Sequence, residues 1–177
     1  MNTSSLLLLL AGITTALMAG LFFSWSVAVM PGLALLPDNK YLAAMQAMNR
    51  AIQNPLFLAC FLAPLLLLPG VSWQYYHHQR FGWLLAAAIC YFAGVFVVTI
   101  TGNVPINEHL DKLQLSQASV EALLSERNRI AQTWVMLNNI RTIASVLAFT
   151  LMLYACMMHT DKAGKILTTS NNFTIES

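Results

Sequence analysis

Trp134-Val135-Met136-Leu137-Asn138-Asn139-Ile140-Arg141-Thr142 leads into the apolar run from Ile143 to Met158. The run alone is too short for a span, because a membrane helix needs about 20 residues to cross about 30 Å of hydrocarbon. The helix must begin further back, near Leu137. That start carries Asn138 and Arg141 into or just beneath the interface. Trp134, Asn138 and Arg141 stand at i, i+4 and i+7, so they share one helix face. An ionisable side chain at that depth is costly and marks a candidate site.

Three further apolar runs precede it. They are read as spans over Leu6–Met30, Pro55–Trp73 and Phe81–Val104, with the last over Leu137–Met158. The whole chain has 177 residues, 58% hydrophobic and 9% charged. A soluble domain carries about 25% charged residues, so this composition describes an integral, multi-pass membrane protein. A bacterial inner (plasma) membrane is the expected location. The net charge of +2 is too small and too dispersed for nucleic-acid binding. Leu6–Met30 lacks a basic leader and is longer than the apolar core of a signal peptide, so it is read as a retained helix. The expected fold is all-α, a four-helix transmembrane bundle over residues 1–160. A polar tail follows over 161–177, rich in Ser, Thr and Asn and expected to be disordered.

Four crossings place both termini and the Gln74–Arg80 connection on one side, and the first and third connections on the other. Trp73 and Trp83 fall near the first interface and Trp25 and Trp134 near the second, as aromatic belts do. Lysines and arginines occur on both sides, in the loops at Lys40, Arg50 and Lys112 and in the tail at Lys162 and Lys165. Orientation is therefore left open.

In the first connection, Asp38 is expected to cap a helix over Asn39–Gln53 that Asn54-Pro55 ends. Its face of Tyr41, Met45, Met48 and Ile52 suits an interfacial helix or one lying over the bundle mouth. In the third, Pro105 is expected to break the helix, and Ser116 or Ser119 to cap a new one that runs into span four. Glu126, Arg127 and Arg129 read as its solvated face. Span one carries Gly12, Ala16, Gly20, Ser24 and Ala28 at a spacing of four, and span three carries Ala86, Cys90 and Gly94. Small residues let helix backbones approach. Spans one and three are thus expected to touch, although the same stripe would serve a homo-oligomer.

Cys60, Cys90 and Cys156 stand alone in separate runs and read as apolar filler, without a metal or disulfide role. His77, His78 and His159 could meet at one rim as haem ligands. Bundle cofactor sites, however, set their ligands inward on facing helices, and a His-His pair in a short loop suits solvent. No metal and no cofactor is assigned. No inverted repeat supports a transporter.

The amides gather on the opposite side: Gln46 and Asn49 in loop one, Asn103 and Asn107 flanking Pro105, and Asn138 beside Arg141. Two readings compete. In the structural one, the amides cap broken helix ends and Arg141 pairs with Glu108 or Asp111. In the functional one, they form a polar cup at the mouth of an apolar bundle. Arg141 would receive an anionic or electron-rich group, and Trp134 would cover an aromatic ring. Trp25, Asn49 and Gln46 would be further ligand contacts, and Glu108 and His109 the nearest proton acceptors. The expected partners are a small hydrophobic or aromatic ligand and the surrounding lipid. A non-catalytic binding protein or an accessory subunit fits the same cup.

Asn103-Val-Pro105-Ile-Asn107, followed by Trp134-x-x-x-Asn138-x-x-Arg141-Thr142, resembles the anthrone oxygenase-like (DUF1772) family of membrane proteins. Met30-Pro31-Gly32-Leu33, Met45-Gln46-x-x-Asn49 and Asn54-Pro55-x-Phe57 add to the resemblance, which covers about residues 6–158. It implies four membrane helices. For some members it implies oxidation of anthrones to anthraquinones in polyketide biosynthesis, without a usual metal or flavin. Such chemistry must remove a substrate proton and stabilise the resulting anion, since carbanions and enolates give up an electron to dioxygen. Arg141 suits stabilisation, with Asn103, Asn107 and Asn138 as hydrogen-bond donors. Glu108 or His109 would act as the base, though neither matches a recognised family base.

Overall fold

The computed structural model describes residues 3–158, so His159 and the tail from 161 onward lie outside the described residues. Five helices account for nearly all of this segment, with no strand among the described residues. They are α1 (Thr3–Leu33), α2 (Asp38–Ile52), α3 (Pro55–Gln74), α4 (Phe81–Lys112) and α5 (Val120–Met157). All but α2 are long and apolar enough to cross a membrane. At about 1.5 Å per residue, the 32 residues of α4 and 38 of α5 reach about 48 and 57 Å. Both exceed about 30 Å of hydrocarbon, and the excess of each lies on the side of the first and third connections.

Two hydrophobic cores follow from these lengths. One runs down the bundle through Met18, Phe61, Leu68, Leu84, Tyr91 and Met152. The other is a headpiece in which α2 lies over the bundle mouth, burying Tyr41, Leu42 and Met45 against Leu110, Ile130 and Trp134. α1 packs against α3 and α5, and α4 packs against the same two. Spans one and three are therefore diagonal, not adjacent, which corrects the expectation from their small-residue stripes. The stripes do mark close approaches, but to α5: a Cβ on Gly12 would stand 2.9 Å from the Met152 side chain, and one on Gly94 would collide with Ala144. Gly20 has nothing within reach.

The prolines differ from expectation in an informative way. Pro31 and Pro105 do not break their helices. Each follows a π-turn, Trp25–Val29 and Thr99–Asn103, by two positions. The N–H of Met30 reaches back five residues to the Trp25 carbonyl, and that of Val104 to the Thr99 carbonyl. A proline ring crowds the carbonyl four residues earlier and offers it no N–H. Widening the preceding turn by one residue accommodates the ring and lets the helix continue. A third π-turn, Ile130–Trp134, interrupts α5. A fourth, Phe92–Val97, lies in α4 away from the cavity described below; the other three touch it, and π-turns of this kind recur at functional sites.

The helix starts are built conventionally. The Asn54 side chain accepts from the Phe57 N–H at 3.0 Å, and that of Ser119 from the Ala122 N–H at 3.2 Å. Asp38 is not a cap, because Pro37 holds that position and Asp38 lies in the first turn. There it pairs with Arg127 at 2.9 Å.

Arg127 and Glu126 are not a solvated face. Arg127 donates to the Leu36 and Ala34 carbonyls at 2.6 and 2.7 Å and lies 4.7 Å over the Tyr41 ring. The end of α1 presents carbonyls and partial negative charge, which favour a cation. Arg127 therefore joins α1, α2 and α5. Arg127→Ala is expected to loosen the headpiece by about 1–3 kcal/mol, since charged hydrogen bonds are lost. Faster amide exchange in α2 with unchanged exchange in the bundle core would verify this. Burial pushes the Tyr41 hydroxyl up from 10.0 to about 12, with nearby Arg127 opposing the shift. The fold favours the neutral phenol, so this contribution is complete below pH 10 and is lost as pH rises towards about 12. An absorbance titration of wild type against Tyr41→Phe would show it.

Candidate functional site

A cavity of about 450 Å³ lies where the bundle meets the headpiece, within the range of about 300–1,000 Å³ usual for small-molecule sites. Its walls are apolar, with Phe22, Trp25, Phe57, Phe61 and Trp134 prominent. Its polar groups sit at two levels. Arg141, Asn138 and Thr99 lie among the spans, and Asn49, Asn107 and Glu108 lie towards the headpiece.

Arg141 is 7% exposed. Among the described residues it forms no ion pair with a carboxylate. Asp111, one expected partner, is bound to Arg50 at 2.6 Å. Arg141 instead donates through Nη2 to Asn138 Oδ1 at 2.8 Å and through Nη1 to Thr99 Oγ1 at 3.4 Å, while its Nε has no partner. Its guanidinium lies 4.5 Å over the Phe22 ring and 5.4 Å from that of Trp134. Aromatic faces attract a cation without neutralising it. A fixed positive charge therefore lines a largely apolar cavity, with a donor to spare.

Asn138 holds this arrangement to α1. Its Nδ2 donates to Ser26 Oγ at 2.9 Å and to the Phe22 carbonyl at 3.3 Å, just before the first π-turn. With Oδ1 turned to Arg141, the amide is oriented at both ends. Trp134 is held from α4: its indole N–H donates to Asn107 Oδ1 at 2.8 Å, and its carbonyl accepts from Asn103 Nδ2 at 3.4 Å. The Trp25 ring tilts against it at a centroid distance of 5.3 Å.

The sequence-derived candidates thus divide. Arg141, Asn107, Asn138, Glu108, Trp134, Asn49 and Trp25 line the cavity. Gln46, His109 and Asn103 do not. The Gln46 amide donates to the carbonyls of Leu110 and Leu113 at 2.8 and 2.9 Å, closing the end of α4. His109 turns to the buried Glu126 at 3.5 Å. Asn103 is fully buried in its contact with Trp134, and its Oδ1 has no partner. Asn49 is buried with a free Nδ2.

The sequence reading missed Phe22, Phe61 and Thr99. Thr99 was detectable in principle, as a hydroxyl within an apolar span six residues before Pro105. The phenylalanines carry no signal beyond their apolarity. Among the described residues no three of His, Cys, Asp and Glu come together in a group able to hold a metal ion.

No curated protein and no solved structure matches this chain. The family model for anthrone oxygenase matches residues 45–151, from the middle of α2 to near the end of α5. That stretch holds Asn49, Asn107, Trp134, Asn138 and Arg141 and omits α1, so it is narrower than the resemblance drawn from the motifs. It covers more than half of the 177 residues. By this match the chain belongs to the anthrone oxygenase family.

Proposed function

We propose that the protein is a membrane oxygenase that needs no cofactor and acts on an acidic aromatic substrate, a ring ketone with an activated methylene such as an anthrone. The observation that carries this reading is the guanidinium of Arg141, unpaired with any carboxylate among the described residues and held by Asn138 at the wall of an apolar cavity.

The chemistry follows from that charge. A base takes a proton from the methylene, and the electron pair moves onto the ketone oxygen as an enolate. Arg141 faces that oxygen, and its positive charge counts for more in an apolar site than in water. The enolate passes one electron to dioxygen. The carbon radical and superoxide combine to form a C–O bond, and a proton completes the hydroperoxide. Loss of the second methylene proton with cleavage of the O–O bond gives the quinone carbonyl and water. One dioxygen is consumed per quinone formed. The rings of Trp134, Trp25 and Phe22 would sandwich the substrate, and Asn138 keeps the guanidinium in place.

Glu108 is the carboxylate assigned as base. It lines the cavity at its polar rim and is exposed, without an ion-pair partner among the described residues. Glu108→Gln is expected to slow oxygen uptake by about 10²-fold, the lower end of general-base effects, with little change in substrate affinity.

The exposure of Glu108 also favours a second reading, a protein that binds the same ligand without transforming it. Purified protein supplied with an anthrone distinguishes the two. The oxygenase reading expects dioxygen consumed and quinone formed in equal amounts. Saturable binding with no oxygen uptake would leave only the binding protein.

A further inference from the structure

Leu58 and Ile100 line the cavity and also lie on the outer surface of the bundle, 45% and 48% exposed. Lipid-facing side chains of a bundle are generally exposed. These two are distinguished by reaching the cavity as well. They stand on different helices, α3 and α4, at the cavity end of each. The two helices pack together along Phe81–Tyr91, where the Tyr91 hydroxyl donates to the Phe61 carbonyl at 2.9 Å. Further towards the headpiece, Phe61 and Phe96 touch at a centroid distance of 6.0 Å. Beyond that pair, α4 enters the π-turn Thr99–Asn103, α3 runs out to its Asn54 cap, and the packing between them falls away. Half-buried Phe57 and Val104 line the cavity there.

We infer that the gap between Leu58 and Ile100 is a lateral portal, through which a flat, apolar, membrane-dissolved ligand enters the cavity from the bilayer. The inference rests on the cavity being the ligand site proposed above. The other side of the cavity has a different chemistry. Glu108, Asp111 and Lys112 rim it, and the Arg50–Asp111 ion pair ties α2 to α4 beside it. An aromatic ligand entering there would first have to leave lipid for water, which opposes apolar transfer. Leu58 stands in the first turn of α3, so the portal opens at the end of that span, and amphipathic aromatics collect at such ends. The polar rim is left to water and protons, and Glu108 stands on it.

The test uses the full-length protein in phosphatidylcholine vesicles with anthrone as the probe, following tryptophan quenching and oxygen uptake together. Adding lipid at fixed total anthrone should slow wild-type binding as the probe is diluted in the bilayer. Leu58→Phe with Ile100→Phe narrows the gap and should slow the onset and release of quenching by about tenfold, leaving its equilibrium extent unchanged, since a portal alters rates and not affinity. Leu58→Ala with Ile100→Ala widens it and should speed both, which guards against a narrowed variant that fails to fold. Quenching that runs ahead of the uptake of freshly added anthrone by protein-free vesicles of the same lipid would overturn the portal. So would rates unchanged in both variants, or release changed with onset intact, which would make these residues mere wall. Slowed quenching at unchanged affinity in a protein that consumes no oxygen would keep the portal and remove the oxygenase.

Discussion

Replacing Arg141 by methionine should lower the rate of oxygen uptake with an anthrone by about 10²–10³-fold, the cost of removing one fixed stabiliser of a developing oxyanion. Methionine keeps an unbranched apolar stem in place of the guanidinium, so the fold should survive. Two features make the effect large. No carboxylate among the described residues neutralises the guanidinium, so its charge is free for a ligand. The cation is also fixed in advance by Asn138 at 2.8 Å, and little reorganisation accompanies the reaction. Arg141→Lys should restore only a small part of the rate. An ammonium cannot both bond Asn138 and present a second, coplanar donor to the substrate. Asn138→Leu should show an intermediate loss, because it removes the hold and not the charge. Rates measured on variants with matched thermal stability would separate these effects from misfolding.

The second large effect concerns the bundle. Gly94→Ala is expected to destabilise it by about 1–3 kcal/mol, the usual cost of forcing a methyl group into a packed core. The added Cβ would collide with that of Ala144 on α5, and neither atom can swing away because both are fixed to backbone. Ala144→Gly in the same chain should recover most of the loss. That recovery would demonstrate the contact, since the loss of helix propensity from Ala144→Gly would otherwise add to the damage. Gly20→Ala should be nearly neutral, as nothing stands within 4 Å of its added methyl. Thermal unfolding in detergent, with the four proteins side by side, is the measurement.

These two positions also show what the sequence made legible. The face shared by Trp134, Asn138 and Arg141 was readable because helical spacing alone puts them together, and the π-turn ending at Trp134 lies just before that face. The four spans were readable because apolar length is a direct physical requirement of the membrane. The partner of Gly94 was not. A small-residue stripe reports that a backbone comes close, but not which one. The prolines were misread for a related reason. Sequence shows the missing N–H of Pro31 and Pro105, but it does not show the widened turns before them that keep the helices whole. Gln46 and His109 were placed in the cup because they are polar and on the correct side. The open carbonyls at the end of α4 draw the first, and buried Glu126 draws the second. Glu126 and Arg127 were read as solvated because the headpiece that covers them exists only once α4 and α5 project beyond the bundle.

Whether Arg141 is held ready for a substrate anion is read from the ionisation state of a bound hydroxyanthraquinone dye whose colour changes when its phenol loses a proton. Bound to the wild-type protein, the dye should titrate at least about one unit lower than when bound to Arg141→Met, equivalent to about 1.4 kcal/mol of preference for the anion. A dye that binds both proteins with the same titration, or that stays neutral in the wild type, would contradict it.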